Sequence, residues 1–284
     1  MSIPISKQPV LHIDDADINQ RMVSRRDAIT RGAALSTAAA AGLRLASIPV
    51  ALAAVASDVF GQGRLPAIVN GVLNFALVLE YLENEFYVRG LAAPSLIPAA
   101  DRTIFQTISG HETGHVGFLV RTLGAAARPK PTFDYSAGSG SGAGPYADVF
   151  TNYDTFLKVS QAFEDTGVRA FKGQAPVLMA YKPILTAALT IHSVEARHAS
   201  EVRRLRGNFV DTEPYYQGWI NGNATDVLGA AATYAGEDNT TQLGINLSTL
   251  PSLSAIATDE ITEAFDEPLT MQQVLTIVTP FISA

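Results

Sequence analysis

The 284-residue sequence contains no cysteine. This absence excludes disulfide bonds, iron–sulfur clusters, thiolate zinc sites and cysteine nucleophiles. It does not indicate a compartment, because a cysteine-free protein can exist in any redox environment. Any metal ion that the chain binds must therefore have oxygen and nitrogen ligands.

Positive charge is also scarce. The chain has 20 lysine and arginine residues against 27 aspartate and glutamate residues, which gives a net charge of −7. This balance argues against a general nucleic-acid binder or a protein of anionic membrane surfaces. The apolar share of 47% supplies enough material for the core of one large domain.

Residues 1–56 differ in composition from the rest of the chain. Arg25 and Arg26 precede an alanine-rich, mildly apolar run that ends in Ala54–Ala56, a small-residue pattern typical of a cleavage site. The segment resembles a twin-arginine signal, which predicts export to the periplasm or cell envelope. The alternative is an alanine-rich helix that stays on the protein.

No membrane span is predicted in the mature chain. Arg44 divides the apolar run into pieces shorter than the roughly 20 residues that a crossing needs. No later segment is a candidate either.

Apolar residues recur at helical spacing in four later segments, each bounded by proline or glycine. The predicted helices are Pro66–Tyr87, Pro98–Leu123, Asp148–Lys172 and Pro183–Arg206. The connections are short, long and short, and the long one, Ala125–Tyr146, is rich in Pro, Gly and Ser. Short connections make antiparallel hairpins, so the pattern predicts an all-α four-helix bundle of two hairpins with one long crossover over residues 57–207.

The helical pattern weakens after Gly207. Two short helices are predicted in residues 252–265 and 270–282, on either side of Pro268. We expect residues 208–284 to form a C-terminal extension of short helices and loops that packs on the bundle.

Two of the five histidines follow a glutamate by three residues, as Glu112/His115 and Glu195/His198. Glu80 lies 32 residues before Glu112, and Glu164 lies 31 residues before Glu195. Each upstream glutamate is in the middle of the preceding predicted helix, and positions three apart share one helix face. The pattern therefore predicts four carboxylates and two imidazoles at one level of the core.

Six such groups would be costly to bury without a cation. Two divalent ions would cancel the charge of four carboxylates, and oxygen ligands with imidazole favour iron or manganese. The predicted metal ligands are Glu80, Glu112, His115, Glu164, Glu195 and His198. Glu112 and Glu195 are the predicted bridges, and His115 and His198 the terminal ligands.

The doubled pattern resembles that of the ferritin-like superfamily. The phrases "LNFALVLEYLENEFYVRGL", "HETGHVGFL", "GEDNTTQ" and "AFDEPLTMQQVL" resemble the exported ferritin-like domain proteins labelled desiccation-related. The resemblance runs from Pro66 almost to the end of the chain. It implies a ferritin-like bundle with two Fe or Mn ions on the six residues above.

Two functions remain open. The first is an oxidoreductase that oxidises Fe(II) or removes peroxide, with O2 or peroxide as its small-molecule partner. The second is a non-catalytic, metal-stabilised stress protein of the envelope. Iron storage in a cage is less compatible with the long C-terminal extension, and the sequence leaves formation of a homo-oligomer open.

Other conspicuous residues have alternative interpretations. Glu83 competes with Glu80, but its counterpart in the third helix is Gly167, so the repeat favours Glu80. His192 precedes Glu195 by one turn and is predicted to lie outside the ligand set. His111 lies about 100° around the helix from Glu112 and is not a predicted ligand. Tyr81 and Tyr87 are either electron donors or core packing.

Overall fold

The residues that the computed structural model describes, namely 65–207, 217–253 and 255–283, include four long helices. They are α1 (Ala67–Ala92), α2 (Arg102–Leu123), α3 (Tyr153–Gln174) and α4 (Lys182–Gly207). The predicted all-α fold class is confirmed. The predicted export segment, residues 1–56, lies outside the described residues. Within the described ranges, no helix is both long and apolar enough to cross a bilayer.

Two helices begin later than the sequence pattern predicts. The prediction began the third helix at Asp148, but the Asn152 side chain accepts hydrogen bonds from the Asp154 and Thr155 amides at 3.1 and 3.4 Å. This cap satisfies amides that have no partner inside the helix, and it sets the start of α3. The second helix begins at Arg102 because the residues from Pro98 form a separate turn.

The long helices form two antiparallel hairpins, α1–α2 and α3–α4. Tyr87 of α1 packs on Phe105 near the start of α2, with ring centroids 6.0 Å apart. At the opposite end, Asn74 donates to the carbonyl of Ala126, just beyond α2. In the second hairpin, Arg206 donates to the Gln161 side chain at 2.7 Å.

The hairpins meet where α1 crosses α3. Phe86 stacks on Phe156 with centroids 4.7 Å apart. Gly90 lies next to the same Phe156 ring, which occupies the space that a Cβ would need. A larger residue at position 90 would therefore push the two helices apart.

The long connection runs along α1 and returns the chain to the end where α3 begins. The Arg128 amide donates to Asn74 near the start of α1, and the Tyr135 hydroxyl donates to the Leu82 carbonyl further along it. At the far end, Tyr153 donates to Asp101 at 2.8 Å. This path allows the two hairpins to lie side by side.

In residues 217–253 and 255–283 the α-helices and strands are all short. They are the helices α5 (Ala231–Tyr234), α6 (Thr258–Thr262) and α7 (Met271–Val278) and the antiparallel strands β1 (Thr241–Gln242) and β2 (Ile245–Asn246). The helices α6 and α7 lie inside the two segments that the sequence predicts to be helical. The sequence pattern did not predict the two-stranded hairpin.

Buried charged side chains attach this C-terminal part to α3 and α4. Arg169 of α3 is 1% exposed and pairs with Glu237 at 2.6 Å. It also donates to backbone carbonyls of the C-terminal segment. Asp165, also on α3, pairs with Arg203 of α4 and accepts a hydrogen bond from Tyr234 at 2.8 Å. The C-terminal segment therefore covers the side of α3 that faces away from α1.

The long connection contains a carboxylate with a full set of donors. Asp134 accepts from the amide and hydroxyl of Ser136 and from the amides of Gly140 and Gly142, at 2.6 to 3.0 Å. These hydrogen bonds, first that of the Ser136 hydroxyl, lower the pKa of Asp134 to about 2. They stabilise the ionised form and fold the glycine-rich part of the connection around it.

Replacing Asp134 is expected to make the free energy of unfolding less dependent on acid pH. Because the folded pKa lies below the unfolded one, the carboxylate stabilises the fold above about pH 4. It loses this contribution as the pH falls towards 2. We expect Asp134→Asn to cost about 2 kcal/mol at pH 7 and progressively less at lower pH. Urea unfolding at several pH values measures this.

Asp238→Asn is the matched control for this comparison. Asp238 is exposed and has no hydrogen bond or ion pair among the described residues. If both variants lost the same unfolding free energy at every pH, the stabilising role of the Asp134 carboxylate would be contradicted.

Candidate metal centre

One polar layer crosses the middle of the bundle between two apolar clusters. One cluster includes Phe86, Phe105 and Phe156, and the other includes Leu77 and Phe118. The polar layer consists of Glu80 from α1, Glu112 and His115 from α2, Glu164 from α3, and Glu195 and His198 from α4. The structure thus brings all six sequence-predicted residues together.

The layer is almost sealed from solvent. Its four glutamates have no exposed surface, and His198 is 4% exposed. The His115 side chain is the most open member at 12%. Large molecules therefore cannot reach the layer without rearrangement of the helices.

Three carboxylate oxygens surround the Nδ1 atom of each imidazole. His115 Nδ1 lies 3.2 Å from Glu80, 3.5 Å from Glu112 and 3.0 Å from Glu195. The second half of the layer repeats this arrangement. His198 Nδ1 lies 3.0 Å from Glu112, 3.3 Å from Glu164 and 3.1 Å from Glu195.

The six residues divide into two groups, each with ligand atoms within 4.8 Å of one another. Glu80 and His115 belong to one group, and Glu164 and His198 to the other. Glu112 and Glu195 belong to both groups. Each directs one oxygen towards His115 and the other towards His198. This sharing is the arrangement that two carboxylate-bridged metal ions require.

Several buried oxygens of the layer have no hydrogen-bond partner. They are Glu80 Oε1, both oxygens of Glu112, Glu164 Oε2 and Glu195 Oε1. Some of these oxygens lie close to an imidazole, but the angles do not suit a hydrogen bond. Each Nδ1 carries at most one proton, which cannot satisfy three surrounding oxygens. The residues therefore fit a divalent cation in each group better than they fit protons alone.

The electrostatics of the metal-free layer reflect the same shortage of positive charge. Burial raises the pKa of Glu80 above its usual range and that of Glu164 to about 8. Burial opposes ionisation of Glu112 too, but the close imidazoles of His115 and His198 hold its pKa below the usual range. Burial by itself lowers the pKa of both imidazoles. The surrounding carboxylates outweigh this effect and raise both pKa values, with Glu80 contributing most for His115 and Glu164 for His198.

The pKa of His198 reaches about 12, and that of His115 also lies well above its ordinary value. Both imidazoles are therefore protonated at neutral pH in the metal-free protein. Binding of a metal ion must displace these protons.

Glu83 is a fifth buried carboxyl near the layer. It is 3% exposed, belongs to neither group, and its Oε2 has no hydrogen-bond partner. Gly167 lies opposite, and a Cβ there would be 3.2 Å from Glu83 Oε1. The missing side chain on α3 thus provides the space that the extra carboxyl on α1 occupies. Burial raises the pKa of Glu83 well above its usual range, and the nearby carboxylates, first Glu164, add to this.

Two contacts of the layer were missed by the sequence interpretation. Tyr87 is fully buried and donates to Glu164 while also contacting the Ser160 hydroxyl. His111, which was not a predicted ligand, lies with its Nδ1 2.9 Å from His198 Nε2. Both contacts join different helices, so spacing along one helix could not reveal them. His192 belongs to neither group, and its buried Nδ1 has no hydrogen-bond partner.

Comparison with known families is consistent with this geometry. Residues 69–208, which include α2, α3, α4 and nearly all of α1, match the family described as "Ferritin-like domain". No curated protein matches the sequence.

Replacing Glu83 by glutamine is expected to stabilise the metal-free protein at pH 7. The pKa of the buried carboxyl is higher in the folded protein than in the unfolded chain, so the carboxyl takes up a proton on folding. This uptake costs more free energy as the pH rises above the pKa of the unfolded chain. We expect the gain to be larger at pH 7 than at pH 5, because the cost of this proton uptake grows with pH. Chelator-treated protein, unfolded by urea at pH 5 and pH 7, measures it.

Glu263→Gln is the control, since Glu263 has no side-chain partner among the described residues. A loss of stability at pH 7 in Glu83→Gln alone would show that Glu83 is ionised in the fold.

Proposed function

Because residues 69–208 belong to the ferritin-like domain family, we propose that this protein is an exported di-metal carboxylate protein that oxidises Fe(II) or removes peroxide. The observation that carries the proposal is the sharing of Glu112 and Glu195 between two groups of ligands. A single structural ion would need one group only. Two adjacent groups with common carboxylates are suited to hold two ions that act together.

Iron or manganese would supply the electron exchange with O2 or peroxide that side chains alone cannot perform. The donor set favours these metals because it contains carboxylates and imidazoles and no thiolate. In each group the imidazole Nδ1 and an unshared carboxylate, Glu80 or Glu164, would complete the ligands of one ion.

The remaining side chains prepare this site for a small oxidant. Tyr87 holds Glu164 through a hydrogen bond and so fixes the orientation of that carboxylate. Glu83 lies beside the layer, and burial raises its pKa, which favours the protonated carboxyl. A protonated carboxyl at this position would be a proton donor for the reaction with the oxidant. The near-complete burial of the layer favours O2, peroxide or Fe(II) over larger substrates.

Loading with metal tests the centre directly. We expect chelator-treated protein, incubated anaerobically with Fe(II) or Mn(II) and then desalted, to retain two ions per chain, one for each group. The Glu112→Ala/Glu195→Ala variant should retain none, because both groups lose their shared ligands. Elemental mass spectrometry measures the content, and uptake should weaken as the pH falls because protons compete.

The matched control is Glu85→Ala/Glu201→Ala, which removes two half-exposed carboxylates from α1 and α4. It should load like the unaltered protein. The loaded protein is then tested for peroxide consumption and for acceleration of Fe(II) oxidation. Two bound ions without either activity would support the alternative, a non-catalytic stress protein, and no uptake of metal would overturn the metal centre itself.

Export is the second part of the proposal, and it rests on the composition of residues 1–56. The twin-arginine route carries folded proteins, so metal could be loaded in the cytoplasm before export. We expect Arg25→Lys/Arg26→Lys to retain the protein in the cytoplasm of its native host. Arg31→Lys/Arg44→Lys, which leaves the pair intact, should not. Cell fractionation distinguishes the two, and identical distributions would contradict the signal.

A further inference from the structure

We propose that His111 positions His198 for the cation of its group and thereby makes the two halves of the centre unequal. This inference rests on the proposed metal centre, but it concerns a residue outside both ligand groups. His111 lies on α2, is exposed to solvent, and precedes the shared ligand Glu112.

The geometry of His198 leaves one nitrogen for the layer and one for His111. Its Nδ1 faces Glu112, Glu164 and Glu195 at 3.0 to 3.3 Å. Its Nε2 lies 2.9 Å from His111 Nδ1, and the two ring planes are nearly parallel, at an angle of 11° with centroids 5.2 Å apart. His111 thus contacts the ligand from the side opposite the carboxylates.

The positions of the ring protons determine which imidazole donates this hydrogen bond. A nitrogen that binds a cation must present its lone pair, so the remaining proton of His198 is on Nε2. That proton can only be donated to His111 Nδ1, which must therefore be unprotonated. His111 then holds its own proton on Nε2. An acceptor on the outer nitrogen fixes the tautomer and the ring orientation of a ligating imidazole and raises its basicity.

The other half of the centre has no such acceptor. No hydrogen bond from the outer nitrogen of His115 is present among the described residues. The sequence repeat shows the same difference. His111 precedes Glu112, whereas Val194 precedes Glu195 at the equivalent position. Valine has no side-chain acceptor, so the repeat that duplicates the ligands does not duplicate this support.

Two unequal halves should fill in order. The His198 ring is held at both nitrogens before metal arrives, whereas among the described residues the His115 ring is held at Nδ1 only, and it is the more exposed imidazole, at 12% against 5%. We therefore assign the tighter position to the His198 half and the more exchangeable one to the His115 half.

Stepwise binding of Co(II) to the metal-free full chain tests this assignment. Anaerobic titration followed by calorimetry and visible absorption should resolve two steps in the unaltered protein. In His111→Leu we expect the tighter step to weaken about 10- to 100-fold while the other step stays unchanged. His111→Asn, whose Oδ1 offers an acceptor near the position of Nδ1, should restore most of the loss.

Spectroscopy separates positioning from a general effect on the fold. In the Co(II) protein, the exchangeable Nε2 proton of His198 should give a paramagnetically shifted resonance that exchanges with solvent faster in His111→Leu and is protected again in His111→Asn. His192→Leu is the control, because His192 is a half-buried histidine of α4 that belongs to neither group. It should leave both steps and the resonance unchanged.

Each outcome decides the inference. Selective loss of one step, with recovery in His111→Asn, supports it. Equal weakening of both steps, or no weakening, overturns the role of His111 while leaving the metal centre intact. Failure of the unaltered protein to take up Co(II) overturns the proposed centre, and the inference with it.

Discussion

The burial of four carboxylates at one level of the bundle is the constraint on which the rest of the structure depends. Each costs several kcal/mol to remove from water unless positive charge compensates it. In the metal-free layer the compensation comes from two imidazolium protons and from protons on carboxyls with raised pKa values. Because this compensation is incomplete, several oxygens remain without partners, and the same positions suit divalent cations.

The apolar clusters on either side stabilise the bundle enough to offset the cost of burying this layer. Aromatic packing between α1 and α3 on one side, and aliphatic packing on the other, holds the helices at fixed separation. The carboxylates therefore cannot move apart to relieve their repulsion. A rigid support of this kind keeps two groups of ligands in place with their shared members between them, which is the requirement for a centre that acts as a pair.

Much of the bundle follows from local patterns in the sequence, whereas its cross-helix contacts do not. Spacings of three residues within a helix, and matched positions in two hairpins, predict that Glu112, His115, Glu195 and His198 lie at one level, and the structure brings them there. Their binding of metal stays a prediction. The fold class was predictable for the same reason, since connection lengths alone indicate two hairpins.

The contacts that could not be predicted depend on how each helix rotates against its neighbours. Three contacts arise in this way: that of His111 with His198, the fit of Glu83 into the space at Gly167, and the hydrogen bond from Tyr87 to Glu164. The predicted start of α3 was wrong because the Asn152 cap, and not the apolar periodicity upstream of it, determines where the helix begins. The C-terminal segment was indistinct because its elements are short, and buried charged side chains as well as scattered apolar ones attach it to the bundle.

That attachment also limits how copies of the chain could associate. Of the 22 residues of α3, 15 are buried, against 7 of the 22 in α2. The outer side of α3 is covered by the protein's own C-terminal segment, so a neighbouring subunit cannot pack there without displacing Arg169 and Asp165 from their partners. A shell that requires every face of the bundle to contact a neighbour is therefore excluded unless the segment moves. The side of α2 that includes His111 is, by contrast, not covered by any other part of the chain that the structure describes.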